Sequence, residues 1–167
     1  MCIHSLLFRF CVAVVFSITV LSQSVMPATA SEILVVRNAT DSGKTELRLT
    51  EEEFKAFPQV TVRTRTEFTE GVVAFVGPLV RDVMAALDVS EATSLHMVAA
   101  NDYAVDVPVS DVQQYDVILA MSASGKRLSF RDKGPLWLMY PLDDHAELQD
   151  ALYNSLLIWK LTFIEIR

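Results

Sequence analysis

Arg131-Asp-Lys-Gly-Pro-Leu-Trp-Leu-Met-Tyr-Pro-Leu-Asp-Asp144 sets two basic residues, three acids and two aromatics around a Gly-Pro turn. Its apolar run, Leu136 to Tyr140, predicts a buried strand that ends at Pro141. Charge stands at the entrance of that strand, with Trp137 and Tyr140 along its length. Such a combination can wall a small planar ligand. The plainer alternative makes Trp137 and Tyr140 core residues, because large aromatics are mostly buried, and makes the charges a solvated turn.

Downstream of it, His145 to Ile158 carries Leu148, Leu152 and Leu156 at a spacing that suits a helix or a helical loop, and Trp159 to Ile166 alternates as a strand with Trp159, Leu161, Phe163 and, at its end, Ile166 inward. Upstream, Val117 to Ser122 predicts an apolar strand, Ala123-Ser-Gly125 a turn, and Arg127 to Phe130 a short strand facing it. Ser94 to Ala100 and Tyr103 to Val107 form a hairpin about Asn101-Asp102, and Ser110 to Gln114 is a helical turn. The clearest alternation is Val60-Thr-Val-Arg-Thr-Arg-Thr-Glu-Phe68, whose inner face changes from aliphatic to hydroxylated at Thr64. Val72 to Val76 is a further strand, and Gly77-Pro78 opens a helix with Leu79, Val83, Met84 and Leu87 on one face. Near the start, Ile33 to Asn38 reads as a strand followed by a turn. Thr50-Glu-Glu-Glu53 is a capping box for a helix over 51–57 that stops before Pro58. The order of elements is mixed, with no βαβ alternation and no Gly-rich phosphate loop, so the expected class is α+β with a β-rich core.

Residues 1–30 stand apart from this pattern. One Arg, an apolar run from Phe10 to Leu21 and small residues at Ala28 and Ala30 predict an export signal cut after Ala30. The domain is then 31–167 and its expected location is the periplasm. Of the 14 basic and 21 acidic residues only Arg9 lies in the leader, so the domain has net charge −8. That balance argues against nucleic acid as a partner. Both cysteines, Cys2 and Cys11, are also in the leader, which leaves the domain no disulfide, thiolate ligand or cysteine nucleophile.

Chemistry is correspondingly scarce. His96 and His145 are far apart in sequence, so no metal site is expected. No Gly-x-Ser-x-Gly turn supports a serine nucleophile, and Asp143 and Asp144 read as solvated turn residues. No catalytic residue is assigned. Binding remains: Phe68, Tyr103, Trp137 and Tyr140 offer apolar faces, while Arg81, Asn101, Arg131, Asp132 and Lys133 offer donors and acceptors at loop positions. The set suits a flat heteroaromatic ligand read at its edge.

The order of five segments resembles the molybdopterin-binding domain of the sulfite oxidase family: Phe75-x-Gly-Pro-Leu-Val-Arg-Asp-Val-Met84; Ala100-Asn-Asp-Tyr-Ala-Val-Asp-Val-Pro108 with Asp111; Leu119-Ala120 with Gly125-Lys126; Gly134-Pro-Leu-Trp-Leu-Met-Tyr-Pro141; and Trp159-Lys-Leu-x-x-Ile164. The likeness covers about residues 60–166. It implies a mixed coiled β-sheet core with two or three short helices and a pterin cleft beside it. The family's enzymes carry a molybdenum-ligating cysteine at the end of the strand equivalent to 60–68, where this chain reads Thr64-Arg-Thr-Glu-Phe68. The chain is more similar to small exported members that bind a pterin without molybdenum and act on a membrane-bound cyclic-di-GMP enzyme. In that group an arginine often precedes the equivalent of Trp159, where this chain has Leu156.

On that resemblance, Phe68, Tyr103 and Trp137 would enclose a pterin, molybdopterin or a simpler reduced one. Asn101 and Asp132 would read its edge, and Arg81, Arg131 or Lys133 would meet a phosphate or acidic tail. The expected function is a non-catalytic periplasmic pterin-binding protein, with no molybdenum, that relays pterin availability to the periplasmic domain of a membrane-bound sensor. Two alternatives stay open: a molybdopterin-dependent oxidoreductase or a subunit of one, and an interaction domain that kept the fold and lost the ligand.

Overall fold

The computed structural model describes residues 31–40, 45–87, 89 and 91–167; the expected leader 1–30 and its cut lie outside them. The elements are β1 (Glu32–Asn38), β2 (Glu46–Thr50), α1 (Glu51–Ala56), β3 (Gln59–Thr64), β4 (Val73–Pro78), α2 (Val80–Ala85), β5 (Ser94–Ala99), β6 (Ala104–Pro108), α3 (Val109–Gln114), β7 (Ile118–Ala120), β8 (Ser122–Ala123), β9 (Lys126–Arg127), β10 (Leu136–Met139), a 3-10 turn (Ala146–Leu148), α4 (Ala151–Leu156) and β11 (Trp159–Ile166).

β11 is the centre of the larger sheet. Leu161 pairs with both Ala99 and Leu136, and Ile164 with both Met97 and Val36. One edge of β11 is therefore filled by antiparallel β5, and the other by antiparallel β10 and then by β1, which runs parallel to it. β6, β2 and β7 extend the sheet beyond β5, β1 and β10. A smaller antiparallel sheet, in the order β3-β4-β8-β9, joins it through a bridge between Leu79 and Ile118. The class is mixed α+β with a curled sheet and, among the described residues, four short α-helices.

β10 lies in the interior because both its faces are covered, which explains why its sequence does not alternate. Leu136, Leu138, Met139 and Tyr140 are fully buried and Trp137 is 2% exposed. The Tyr140 hydroxyl donates to Asp111 Oδ2 at 3.1 Å. Burial, reinforced by that carboxylate, pushes the phenol well above its ordinary range, so it remains a donor.

Several expectations are corrected. The alternating strand stops at Thr64 rather than Phe68; Thr64 is completely buried, and its hydroxyl donates to the Arg65 carbonyl and accepts from the Asp143 amide at 3.1 Å. It closes the strand instead of opening a polar pocket, and Asp143, expected to be solvated, is 23% exposed and paired with Arg65. Gly77 and Pro78 end β4, paired with Val60 and Gln59, and the helix starts one residue beyond Leu79. The region 145–158 takes the looser of its two expected forms, a helical loop: a 3-10 turn precedes α4, which Asp150 starts by accepting from the Leu152 amide at 2.8 Å. In β11 the buried residues are Leu161, Ile164 and Ile166, with Phe163 only half-buried. Lys160 is left-handed (φ 56°) and the register shifts between Leu161 and Phe163, so the two-residue period breaks there.

Arg127, expected merely in a short strand, organises the loop that leads into β10. Its guanidinium donates to the carbonyls of Met121, Leu128 and Pro135, and to Glu51 Oε2 at 3.0 Å. Arg127, then Lys55, lowers the Glu51 carboxyl to about 2. A depressed carboxyl stabilises the fold above its unfolded value near 4.5 and loses that contribution as pH falls toward 2. Because the two side chains are 40% and 33% exposed, solvent screening holds the ion pair to about 1 kcal/mol or less. Arg127→Met is expected to cost about 2–3 kcal/mol at pH 7, mostly through the three stranded carbonyls. It should also flatten the fall in urea stability between pH 4.5 and 2. An unchanged acid limb would mean that Glu51 is held by Lys55 alone.

Candidate ligand-binding site

Three loops converge where β11 begins. The turn after β3 brings Phe68, the β5-β6 turn brings Asn101 and Tyr103, and the end of α4 brings Asn154, Ser155, Leu157 and Ile158 up to Trp159. They enclose a cavity of about 300 Å³. That is at the lower end of the roughly 300–1,000 Å³ typical of small-molecule sites.

Local sequence explains each wall. Thr66 and Thr69 tie the first turn: the Thr66 amide donates to Thr69 Oγ1 and the Phe68 amide to Thr66 Oγ1. This leaves the Phe68 ring 37% exposed, edge-on to Trp159 at 4.9 Å. Asp102 takes the left-handed turn position (φ 65°), an arrangement that Asp tolerates, and so presents Asn101 and Tyr103 outward. Tyr103 is held by donating its hydroxyl to the Ser155 carbonyl at 3.2 Å, and the Glu67 amide donates to Asn154 Oδ1 at 3.4 Å. Behind Trp159 stand Trp137 at 6.3 Å and then Phe75, 5.3 Å from Trp137, a series of edge-to-face rings that runs into the core.

The wall is aromatic and aliphatic, with two carboxamides and one serine as its polar side chains beside the tyrosine hydroxyl. No carboxylate or cation lines it. An apolar slot with carboxamides, which donate and accept at once, holds a flat heteroaromatic ring by its faces and reads its edge.

Of the residues expected from sequence, Phe68, Asn101 and Tyr103 come together here. Lys133 is just behind the wall, its ammonium 4.7 Å from the Trp137 ring centroid and donating to the Phe68 carbonyl at 3.0 Å. Trp137 is a core residue that backs the site, its indole N–H donating to the Leu157 carbonyl at 3.0 Å. Asp132 turns away and accepts from the Ser129 hydroxyl at 2.6 Å, and Arg131 is exposed on the same loop. Arg81 is on α2, bound to the Tyr115 carbonyl and to Asp116 at 2.6 Å, and forms no part of this wall. Its place on the predicted helix, off the apolar stripe, already left it free to pair locally, as it does with Asp116.

Sequence reasoning missed Asn154, Ser155, Leu157 and Ile158, and placed Trp159 only in the core. Asp150 was the available signal: as a helix cap it makes α4 end near 156 and frees the next residues as a wall. Among the described residues no group of three His, Cys, Asp or Glu residues converges. His96 instead pairs with Asp106 at 2.8 Å, and the His145 ring packs edge-on against Tyr115. No described helix is long and apolar enough to cross a membrane.

Comparison with known proteins bears on the family and the fold. The family described as "Oxidoreductase molybdopterin binding domain" matches residues 34–142. No curated protein matches. Among solved structures, the sulfane dehydrogenase SoxCD from Paracoccus pantotrophus is similar in fold, with a TM-score of 0.59 at 17% identity over 80% of this chain. The matched region spans 37% of that SoxCD chain.

Proposed function

Because the chain belongs to the oxidoreductase molybdopterin-binding domain family, we propose that it binds a pterin in the cavity bounded by Phe68, Tyr103 and Trp159, and that it does so as a non-catalytic periplasmic protein. The observation that carries the reading is the make-up of that cavity: ring faces and carboxamides, with no metal ligand. A pterin ring fits this donor set, with Asn101 and Asn154 at its edge and Phe68, Tyr103 and Trp159 against its faces. When bound, the ring supplies a flat hydrogen-bonding edge and a redox-active heterocycle; the chain's part is to hold it and keep water from its faces.

A thiolate-bound molybdenum does not fit. The chain has no cysteine after Cys11, and the hydroxyl of Thr64, at the end of β3, is already committed to Asp143 and Arg65. The consequence we draw is a sensor that reports pterin occupancy to the periplasmic domain of a membrane-bound signalling enzyme, in keeping with cyclic-di-GMP control. Its docking face would include the cavity mouth, whose exposed rings would change contacts on binding.

Protein purified from the periplasm of its own host should carry pterin fluorescence with molybdenum far below one per chain. Molybdenum at one per chain would overturn this reading in favour of an oxidoreductase, and the absence of both would favour an interaction domain. Asn101→Ala and Asn154→Ala should each weaken pterin binding about tenfold by leaving an edge group of the ring unpaired. Titration by quenching of pterin fluorescence measures this, and unchanged affinity in both variants would remove the carboxamides from the site.

A further inference from the structure

Lys133 does not line the cavity, yet it reaches two residues that do, Phe68 and Trp159. Its ammonium donates to the Phe68 carbonyl at 3.0 Å and rests 4.7 Å from the centre of the Trp137 ring and 6.0 Å from that of Trp159. Its own carbonyl accepts from the Lys160 amide at 3.1 Å, and the Lys160 carbonyl accepts from the Ala100 amide at 2.8 Å. A single strap thus runs from the Phe68 turn through 133 and 160 to the turn that carries Asn101 and Tyr103. Lys160 can serve both directions because it is left-handed, a conformation that non-glycine residues seldom adopt without compensating contacts.

We propose that Lys133 is a positioning residue for the ligand, holding the Phe68 wall at the right distance from the Trp159 wall, and that it does not meet the charge of the ligand. This rests on the reading of the cavity as a pterin site. The physical basis is that the Thr66 and Thr69 hydrogen bonds shape the Phe68 turn only within itself. The Lys133 hydrogen bond, with the longer Glu67-Asn154 bond at 3.4 Å, ties that turn to the rest of the site and so sets the depth of the exposed Phe68 ring. The ammonium gives one hydrogen bond to the Phe68 carbonyl and rests near the Trp137 ring, where a cation is favourably placed. Turning it outward to a phosphate would break the strap that shapes the slot.

The test uses the full exported protein as wild type, Lys133→Met, which keeps the stem and removes the charge, and Lys133→Arg, which keeps the charge. The probes are neopterin, with a neutral side chain, and 6-carboxypterin, with an anionic one. Positioning predicts that Lys133→Met weakens both by the same factor, tenfold or more, and that Lys133→Arg recovers to within about threefold. It also predicts faster amide hydrogen exchange at residues 66–69 in ligand-free Lys133→Met, with Tm nearly unchanged. Selective loss of 6-carboxypterin would overturn the proposal and make Lys133 a direct anion contact. Unchanged exchange at 66–69 would overturn it as well. Should the wild type bind neither probe, the pterin reading fails by itself, and the exchange experiment still decides the role of Lys133.

Discussion

Gly77→Ala is expected to abolish the cooperative thermal transition or to lower Tm by at least about 10 °C. A Cβ at this position would fall 1.9 Å from the Leu119 carbonyl oxygen and 2.6 Å from its carbon. Both are backbone atoms of β7, and Leu119 is itself paired with Leu138 of β10. On its other side Gly77 pairs with Val60. Neither neighbour is a flexible side-chain tip, so relief requires prying the small sheet from the large one at the Leu79-Ile118 bridge. Overpacking commonly costs about 1–3 kcal/mol even where side chains can yield; separating two backbones should exceed that, out of a total stability of about 5–15 kcal/mol. Calorimetry of the purified variant measures it. A Tm within a few degrees of the parent would mean that β4 and β7 do not approach as closely as described.

The largest effect on binding is expected at Trp159. Trp159→Ala removes one wall of the cavity, the ring that steadies Phe68 at 4.9 Å, and part of the aromatic bed for Lys133. Pterin affinity should fall at least a hundredfold, with a stability loss of about 2–4 kcal/mol from the vacated volume. Trp159→Phe separates the two effects, because it retains a ring face in the slot while shortening the wall. It should fold nearly as well as wild type and bind roughly tenfold more weakly, in line with a partial loss of ring contact. Equilibrium dialysis with a fluorescent pterin reads both variants, and wild-type affinity in folded Trp159→Ala would place the ligand elsewhere.

Much of the fold was legible where a single local cause dominates. Leu136 to Met139 announces a doubly covered strand by its unbroken apolar run, and Thr50-Glu-Glu-Glu53 closes as a capping box, with the Thr50 amide bound to Glu53 Oε2 at 2.9 Å. Errors came where a long-range contact overrides the local rule. Pro78 is a good first residue of a helix, but here it ends a strand because Gly77 must pass against Leu119. Phe163 keeps the alternating period on paper, but the left-handed Lys160 and the shift beyond Leu161 turn Ile164 inward instead. The site divides in the same way. Phe68, Asn101 and Tyr103 stand out as rings and amides on turns, whereas Leu157 and Ile158 look like ordinary core and become walls only because α4 ends beside them. Asp132 and Arg81 have the right chemistry, but each is held by a neighbour outside the cavity, Ser129 and Asp116.

The position of β11 also bears on how the chain reaches this state. The strand that lies between β5 on one edge and β10 and β1 on the other comes after all of them in sequence. β1 finds its parallel neighbour, Val35 beside Phe163 and Asn38 beside Ile166, across more than a hundred intervening residues. Loops of that length close slowly, and pairings of high sequence separation delay folding. Until residues 159–166 have left the ribosome the large sheet has no middle, and hairpins such as β5-β6 have nothing to dock on. The large sheet therefore cannot close before β11 has been made. For the periplasmic protein proposed above, such a delay would keep the chain able to pass through a narrow pore before it folds.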